Sequence, residues 1–241
     1  MSEVNINQNT GDVGRDNVIK VSTPNEQLPC PVPETVLRQM RHAAAITTTE
    51  RVQCWVTCIS GFLQHKGRPN GITALWNYLR KYNSPTLVLD HLLWTADVEK
   101  EAEFRWRYLD QRENKNVIVG YSWGGQTAVN LCEHLNDRGI QVDHLILIDA
   151  VRRLRPWLLR WTAFVPFMRL SIPENVKEVT WYTQNNNLPK GHKVVAKNPR
   201  KTKIHERIDM PLQHTYADDF YPAHFRIQEI VEEICQCRLP D

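Results

Sequence analysis

No stretch of this chain runs for about 18 apolar residues, so no segment reads as a membrane-spanning helix. The opening "MSEVNINQNTGDVGRDNVIK" lacks the apolar core of a secretory signal. The cysteines, Cys30, Cys54, Cys58, Cys132, Cys235 and Cys237, contain no C-x-x-C pair; the last two form only a C-x-C. That argues against a zinc or dithiol motif, and six reduced thiols in a cytoplasmic protein are expected. No repeat of about 20–50 residues is visible. "GFLQHKGRPNG" is not a phosphate-cradling loop, because it lacks the Walker lysine context. His91, His134 and His144 have no metal-ligand spacing, and neither metal nor cofactor is expected.

What is present suits one globular domain. The chain has 241 residues, 41% of them apolar and 24% charged, enough for a sizeable core. Its formal charge of +3 hides an asymmetry. Residues 151–208 hold thirteen Lys and Arg against three Glu, a local +10, which leaves about −7 elsewhere. Such a face is usually just solvated, but it can also mark where an anionic partner approaches.

Residues 1–32 read as a polar arm and a Pro-rich linker, "STPNEQLPCPVPE". A disordered tail is one reading; a β-forming arm that pairs with another chain and mediates oligomerisation is the other. Residues 33–241 then form the main domain. Helical "ETVLRQMRHAAA" leads to the strand "VQCWVTCIS" (52–60), the helix 71–82 and the strand "TLVLD" (86–90). An amphipathic helix over 97–112 is expected to bury Val98, Ala102, Phe104, Trp106 and Leu109. The strand 116–120, the helix 124–139 and the apolar strand "VDHLILIDA" (142–150) follow. After an aromatic- and Arg-rich insertion at 151–175, strands are expected at 176–183 and 202–210. A last helix follows, capped near Asp218 or Asp219. Apolar strands joined by helices predict an α/β fold with a mostly parallel central sheet flanked by helices.

The motif that carries chemistry is G-Y-S-W-G, Gly120 to Gly124, set between a buried strand and a helix. In that context the turn lifts Ser122 to the top of the sheet, at a helix N-terminus that favours developing negative charge. Here the chain resembles the α/β-hydrolase superfamily over about residues 50–238, in its thioesterase-like and small lipase-like branches. The resemblance implies a nucleophile, acid, histidine order. "VKEVTWYT" is followed by Gln184-Asn185-Asn186-Asn187, with no carboxylate, so the acid falls to Asp149, 27 residues after Ser122, with Asp90 a distant second. Among nine histidines, His214 lies on the loop before the final helix, where the family carries its base. The oxyanion donors implied are the backbone N–H of Trp123 and that of Phe62 or Leu63. Many members of that superfamily have His-Gly where this chain has Ser60-Gly61, a departure from the resemblance at that loop. The bulky Trp123 either narrows the pocket or packs against a cap.

The resulting expectation is a serine hydrolase acting on an ester or thioester through a Ser122–His214–Asp149 triad. Residues 151–175 would form a cap, with Trp157, Trp161, Phe164 and Phe167 lining an acyl pocket and arginines drawing in an anionic head group. Nucleic acid is not expected as a partner; peripheral contact with a membrane stays open. The rival readings are a catalytically silent hydrolase-fold binding protein, or a surface-binding protein using residues 151–208.

Overall fold

The computed structural model describes residues 54–64, 69–82, 87–108, 114–153, 163–165 and 167–237. Strand β1 (Cys54–Ser60) leads to α1 (Gly71–Leu79), whose Asn70 side chain accepts from Thr73 N and so caps the first turn. Next come β2 (Leu87–Leu93) and α2 (Val98–Tyr108), acidic in its first turn and basic in its last, as the helix dipole favours. Strand β3 (Lys115–Tyr121) runs into α3 (Trp123–Asn136), followed by β4 (Val142–Ile148). Then come β5 (Arg169–Ile172), β6 (Val176–Gln184), β7 (Lys193–Ala196), β8 (Lys203–Ile204) and β9 (Ile208–Met210). A 3₁₀ turn over His214–Asp219 precedes α4 (Tyr221–Cys235).

The main sheet has the order β2-β1-β3-β4-β6-β8, with β9 also on β6, and every pairing among the described residues is parallel. This is the expected α/β architecture of a mostly parallel sheet between helices. Side chains of a strand alternate between faces, and the two cores follow that alternation. Cys54, Val56 and Cys58 of β1, with Val117 and Val119 of β3, pack under α1 and α4. Ile59, Ile118, Leu145 and Leu147 pack under α2 and α3. Burying each such aliphatic side chain contributes about 1.5–3 kcal/mol.

The chain departs from β1 first to β2 on one side and then to β3 on the other. That reversal opens a crevice beyond the C-terminal ends of β1 and β3, where open parallel sheets bind ligands. Ser60 and Ser122 lie there.

Three expectations need correction. Cys54 and Cys235 form a disulfide, joining the start of β1 to the end of α4, so the cysteines are not all reduced thiols. A contact spanning 181 residues leaves no local sequence signal. In α2, Trp106 is 51% exposed, whereas Arg105 is fully buried. The guanidinium donates to Thr57 Oγ1 (2.5 Å), pairs with Glu101 (3.3 Å) and lies 4.6 Å from the Trp55 ring centre, so its charge is buried with partners. The single strand expected at 202–210 is two short ones, β8 and β9, along different parts of β6. Beside the main sheet, β5 pairs with β7 in a second small parallel sheet, and Leu170, Ile172 and Val194 join the α3-side core. The end of the 151–175 insertion is thus part of that core. Residues 1–32 lie outside the described residues.

Candidate active site

Gly120 stands one residue before the end of β3, at a position where nothing larger fits. A Cβ there would lie 2.8 Å from the Ala128 Cβ and 2.8 Å from the Gly124 carbonyl oxygen. One on Gly124 would come within 2.5 Å of the Ile59 carbonyl oxygen. The two glycines let α3 start directly against β1 and β3. Ser122 between them takes φ 53° and ψ −121°, a conformation disfavoured for any residue with a Cβ. Backbone bonds brace it: Ser122 N donates to Ile148 O (3.1 Å), and Val151 N to Ser122 O (3.1 Å).

The Ser122 hydroxyl lies 2.8 Å from His214 Nε2, and His214 Nδ1 lies 2.6 Å from Asp149 Oδ2. All three residues are buried, Asp149 completely. An ionised carboxylate only accepts, so Nδ1 carries the proton and Nε2 is left to accept from the Ser122 hydroxyl. Asp149 Oδ1 accepts from the backbone N–H of Gly191 (2.7 Å) and of Gln184 (3.2 Å). The acid is therefore fixed by donors on its other oxygen.

His214 is located through its backbone as well as its ring. Tyr121 Oη donates to His214 O (2.5 Å), and the two rings stack at 5.6 Å. His214 N donates to Asn187 Oδ1 (2.7 Å). Gln184 in turn folds the Asn186-Asn187 turn: its Oε1 accepts from Asn186 N (2.7 Å) and Asn187 N (2.9 Å). The amide run after β6, which offers no carboxylate, thus serves both the acid and the base. Tyr121, Gln184, Asn187 and Gly191 are not identified by sequence reasoning. The cluster of amides at a strand end was the available signal.

Asp90 belongs to a different neighbourhood. It sits in mid-strand, accepts from Trp55 Nε1 (2.6 Å) and lies 4.0 Å from Arg105. Ser60, the last residue of β1, pairs with His91 Nε2 (2.6 Å).

The loop after β1 lies against Ser122. A Cβ on Gly61 would be 3.1 Å from the Ser122 Cβ and 2.8 Å from the Tyr121 ring. Gln64 N donates back to Gly61 O (3.3 Å), closing a turn in which Leu63 has φ 62°. Phe62 and Trp123, both named as oxyanion residues, stack with ring centres 4.3 Å apart, and Trp94 meets each edge-on at 5.5 and 5.1 Å. The Arg153 guanidinium lies 4.8 Å from the Trp94 ring centre. This aromatic group beside Ser122 includes Trp94 and Arg153, which the sequence did not mark as site residues. Of the residues expected to line an acyl pocket, Trp157 and Trp161 lie outside the described residues; Phe164 is exposed and Phe167 is 81% exposed.

Asp218, expected to cap the last helix, instead accepts from Gly71 N (2.8 Å) at the start of α1. Burial, its largest influence, holds its carboxyl above the ordinary range. No group of three or more metal-ligating side chains occurs among the described residues.

No protein-family model matches the chain, and no curated protein does. Among solved structures it is similar to the Vlm2 thioesterase domain carrying genetically encoded 2,3-diaminopropionic acid, bound with a dodecadepsipeptide, in two crystal forms. In space group P1 the identity is 15% and the TM-score 0.38, covering 79% of this chain and 96% of that one. In H3 the values are 16% and 0.37, with 81% and 97% covered. Likeness at this level carries no argument about chemistry, which rests on the geometry alone.

Proposed function

We propose that this chain is a serine hydrolase of the α/β-hydrolase kind that cleaves a carboxylic ester or thioester. The observation that carries the reading is the hydrogen-bonded chain Ser122–His214–Asp149, with the serine on a strained strand-to-helix turn. The Ser122 oxygen attacks the acyl carbon while His214 Nε2 takes its proton. The tetrahedral oxyanion falls to the backbone N–H of Trp123, at the start of α3, and to that of Phe62 or Leu63. His214 then protonates the departing alcohol or thiol, leaving an acyl-serine. Water, deprotonated by the same imidazole, attacks that acyl-serine and releases the acid. Asp149 holds the imidazole tautomer and stabilises the imidazolium.

No cofactor enters this scheme, since nucleophile, base and donors all come from the chain. An anionic acyl substrate is favoured by the +10 balance of residues 151–208. The test is turnover of activated acyl esters and acyl thioesters by purified protein. Asp149→Asn should lower kcat by roughly 10⁴, because Asn presents a donor or the wrong tautomer to His214. Asp90→Asn should leave kcat within about threefold, since its partners are Trp55 and Arg105. Loss of rate in Asp90→Asn with Asp149→Asn unaffected would overturn the assignment of the acid.

A further inference from the structure

Phe62 packs on Trp123 and Trp94, whereas the next residue of the same turn, Leu63, faces solvent. Leu63 is 69% exposed and lies in the left-handed region at φ 62°, where a residue with a Cβ is strained by about 1–2 kcal/mol. Neither burial nor glycine accounts for that conformation. What surrounds it is the side chain of Gln64. Its Oε1 accepts from Gly61 N at 2.8 Å, while its Nε2 donates to Asp218 Oδ2 at 2.5 Å. The amide can sit only one way round: reversed, it would set NH₂ against N–H and oxygen against the carboxyl.

Asp218 is itself anchored. The same Oδ2 accepts from Gly71 N, and the Asp218 carbonyl accepts from His224 Nε2 at 2.6 Å. A Cβ on Gly71 would lie 1.9 Å from the Asp218 carbonyl oxygen, so the 3₁₀ turn and the start of α1 are in direct backbone contact. That 3₁₀ turn begins with His214. The turn at 61–64 and the histidine are therefore joined twice. One link is apolar, with Gly61 against the Tyr121 ring and Tyr121 Oη on His214 O. The other is the polar Gln64–Asp218 link, which spans 154 residues of sequence.

We propose that Gln64 and Asp218 are positioning residues: as a pair they hold the strained Gly61–Gln64 turn in register with His214, so that its backbone donors face the oxyanion formed at Ser122. The proposal rests on the hydrolase reading above and deepens it. Neither side chain touches the reacting atoms. Their effect is on transition-state stabilisation, which appears in kcat rather than in substrate affinity.

The experiment measures kcat, KM and melting temperature for wild type, Gln64→Ala, Gln64→Glu, Asp218→Ala and the conservative variant Asp218→Asn. In Gln64→Glu two carboxyl groups would face each other at hydrogen-bond distance, which like charges oppose. In Asp218→Asn the amide oxygen can take the place of Oδ2. There it accepts from both Gln64 Nε2 and Gly71 N, so the link is kept without the charge. Gln64→Ala, Gln64→Glu and Asp218→Ala should lose about 10- to 100-fold in kcat with KM within about twofold, and Asp218→Asn should stay within about threefold of wild type. Gln64 is only half-buried on a surface turn, so Gln64→Ala decides the matter even if the Asp218 variants do not fold. Unchanged kcat in Gln64→Ala, or a folded Asp218→Asn as slow as Asp218→Ala, would overturn the clamp while leaving the hydrolase reading intact. A wild type without turnover on any acyl ester or thioester would overturn both.

Discussion

Ser122 and Asp149 both have positive φ, 53° and 42°, although neither is glycine. Strain of this sort costs roughly 1–3 kcal/mol per residue and persists only where neighbours over-determine the backbone. Ile148 O and Val151 N do so for Ser122, and the bond from Asp149 N to Tyr182 O (2.8 Å) does so for the acid. A sign reversal follows. At an ordinary position glycine is less stable than alanine, yet Ser122→Gly should be more stable than Ser122→Ala by about 1 kcal/mol, because only glycine relieves the turn. Both variants lack the hydroxyl, so urea unfolding of the pair isolates the backbone effect. Equal stabilities, or a more stable Ala variant, would mean that the turn is not strained. At this scale much of the site could be read from sequence. The glycine-flanked serine, the carboxylate ending an apolar strand and the loop histidine each stand out, and they meet in space. What did not stand out is the polar network behind them. Gln64, Asn187 and Asp218 have common residue types and act through partners up to 154 positions away, which no local pattern records.

At the scale of elements, the period-2 alternation of the strands translates directly into the two core faces, which is why the parallel sheet was legible. Helix α2 was read less well, because an apolar count overlooks a charged residue buried with its partners. Its buried stripe runs through Val98, Glu101, Ala102 and Arg105, one position away from Trp106. Short strands such as β5 and β7 fall below what alternation can reveal in four residues. The junction of α3 with β1 offers a test. Gly124→Ala would drive a methyl to 2.5 Å from Ile59 O and 2.6 Å from Ser60 O, and backbone in the middle of a sheet yields little. We expect a loss of about 1–3 kcal/mol in stability, read by urea unfolding, and a fall in kcat, since the helix must tilt away from the Ser60–Gly61 corner. A variant as stable and active as wild type would show that α3 is less tightly seated.

For the whole molecule, the pH dependence of stability follows from two buried histidines, His144 and His192, and the half-buried His224. Burial is the leading cause in each case: His144 is pushed down to about 4, and His192 and His224 are also lowered. A histidine harder to protonate when folded leaves the unfolded chain binding more protons between its two pKa values. Stability should therefore fall as pH drops from about 6.5, the ordinary histidine value, towards 4. Asp218, held above its ordinary range, works in the opposite direction at the acid end but is a single group. Melting temperatures measured across pH 4–8 should show this decline, and His144→Gln should flatten it; a flat wild-type profile would contradict the burial of these rings. The central claim, that Ser122 is the nucleophile of an acyl-transfer site, is tested most directly by labelling the folded protein with a fluorophosphonate and mapping the modified peptide. One adduct per chain on Ser122, lost when the protein is unfolded beforehand, is the predicted result; a folded protein that takes up no label, or takes it up on another residue, would contradict it.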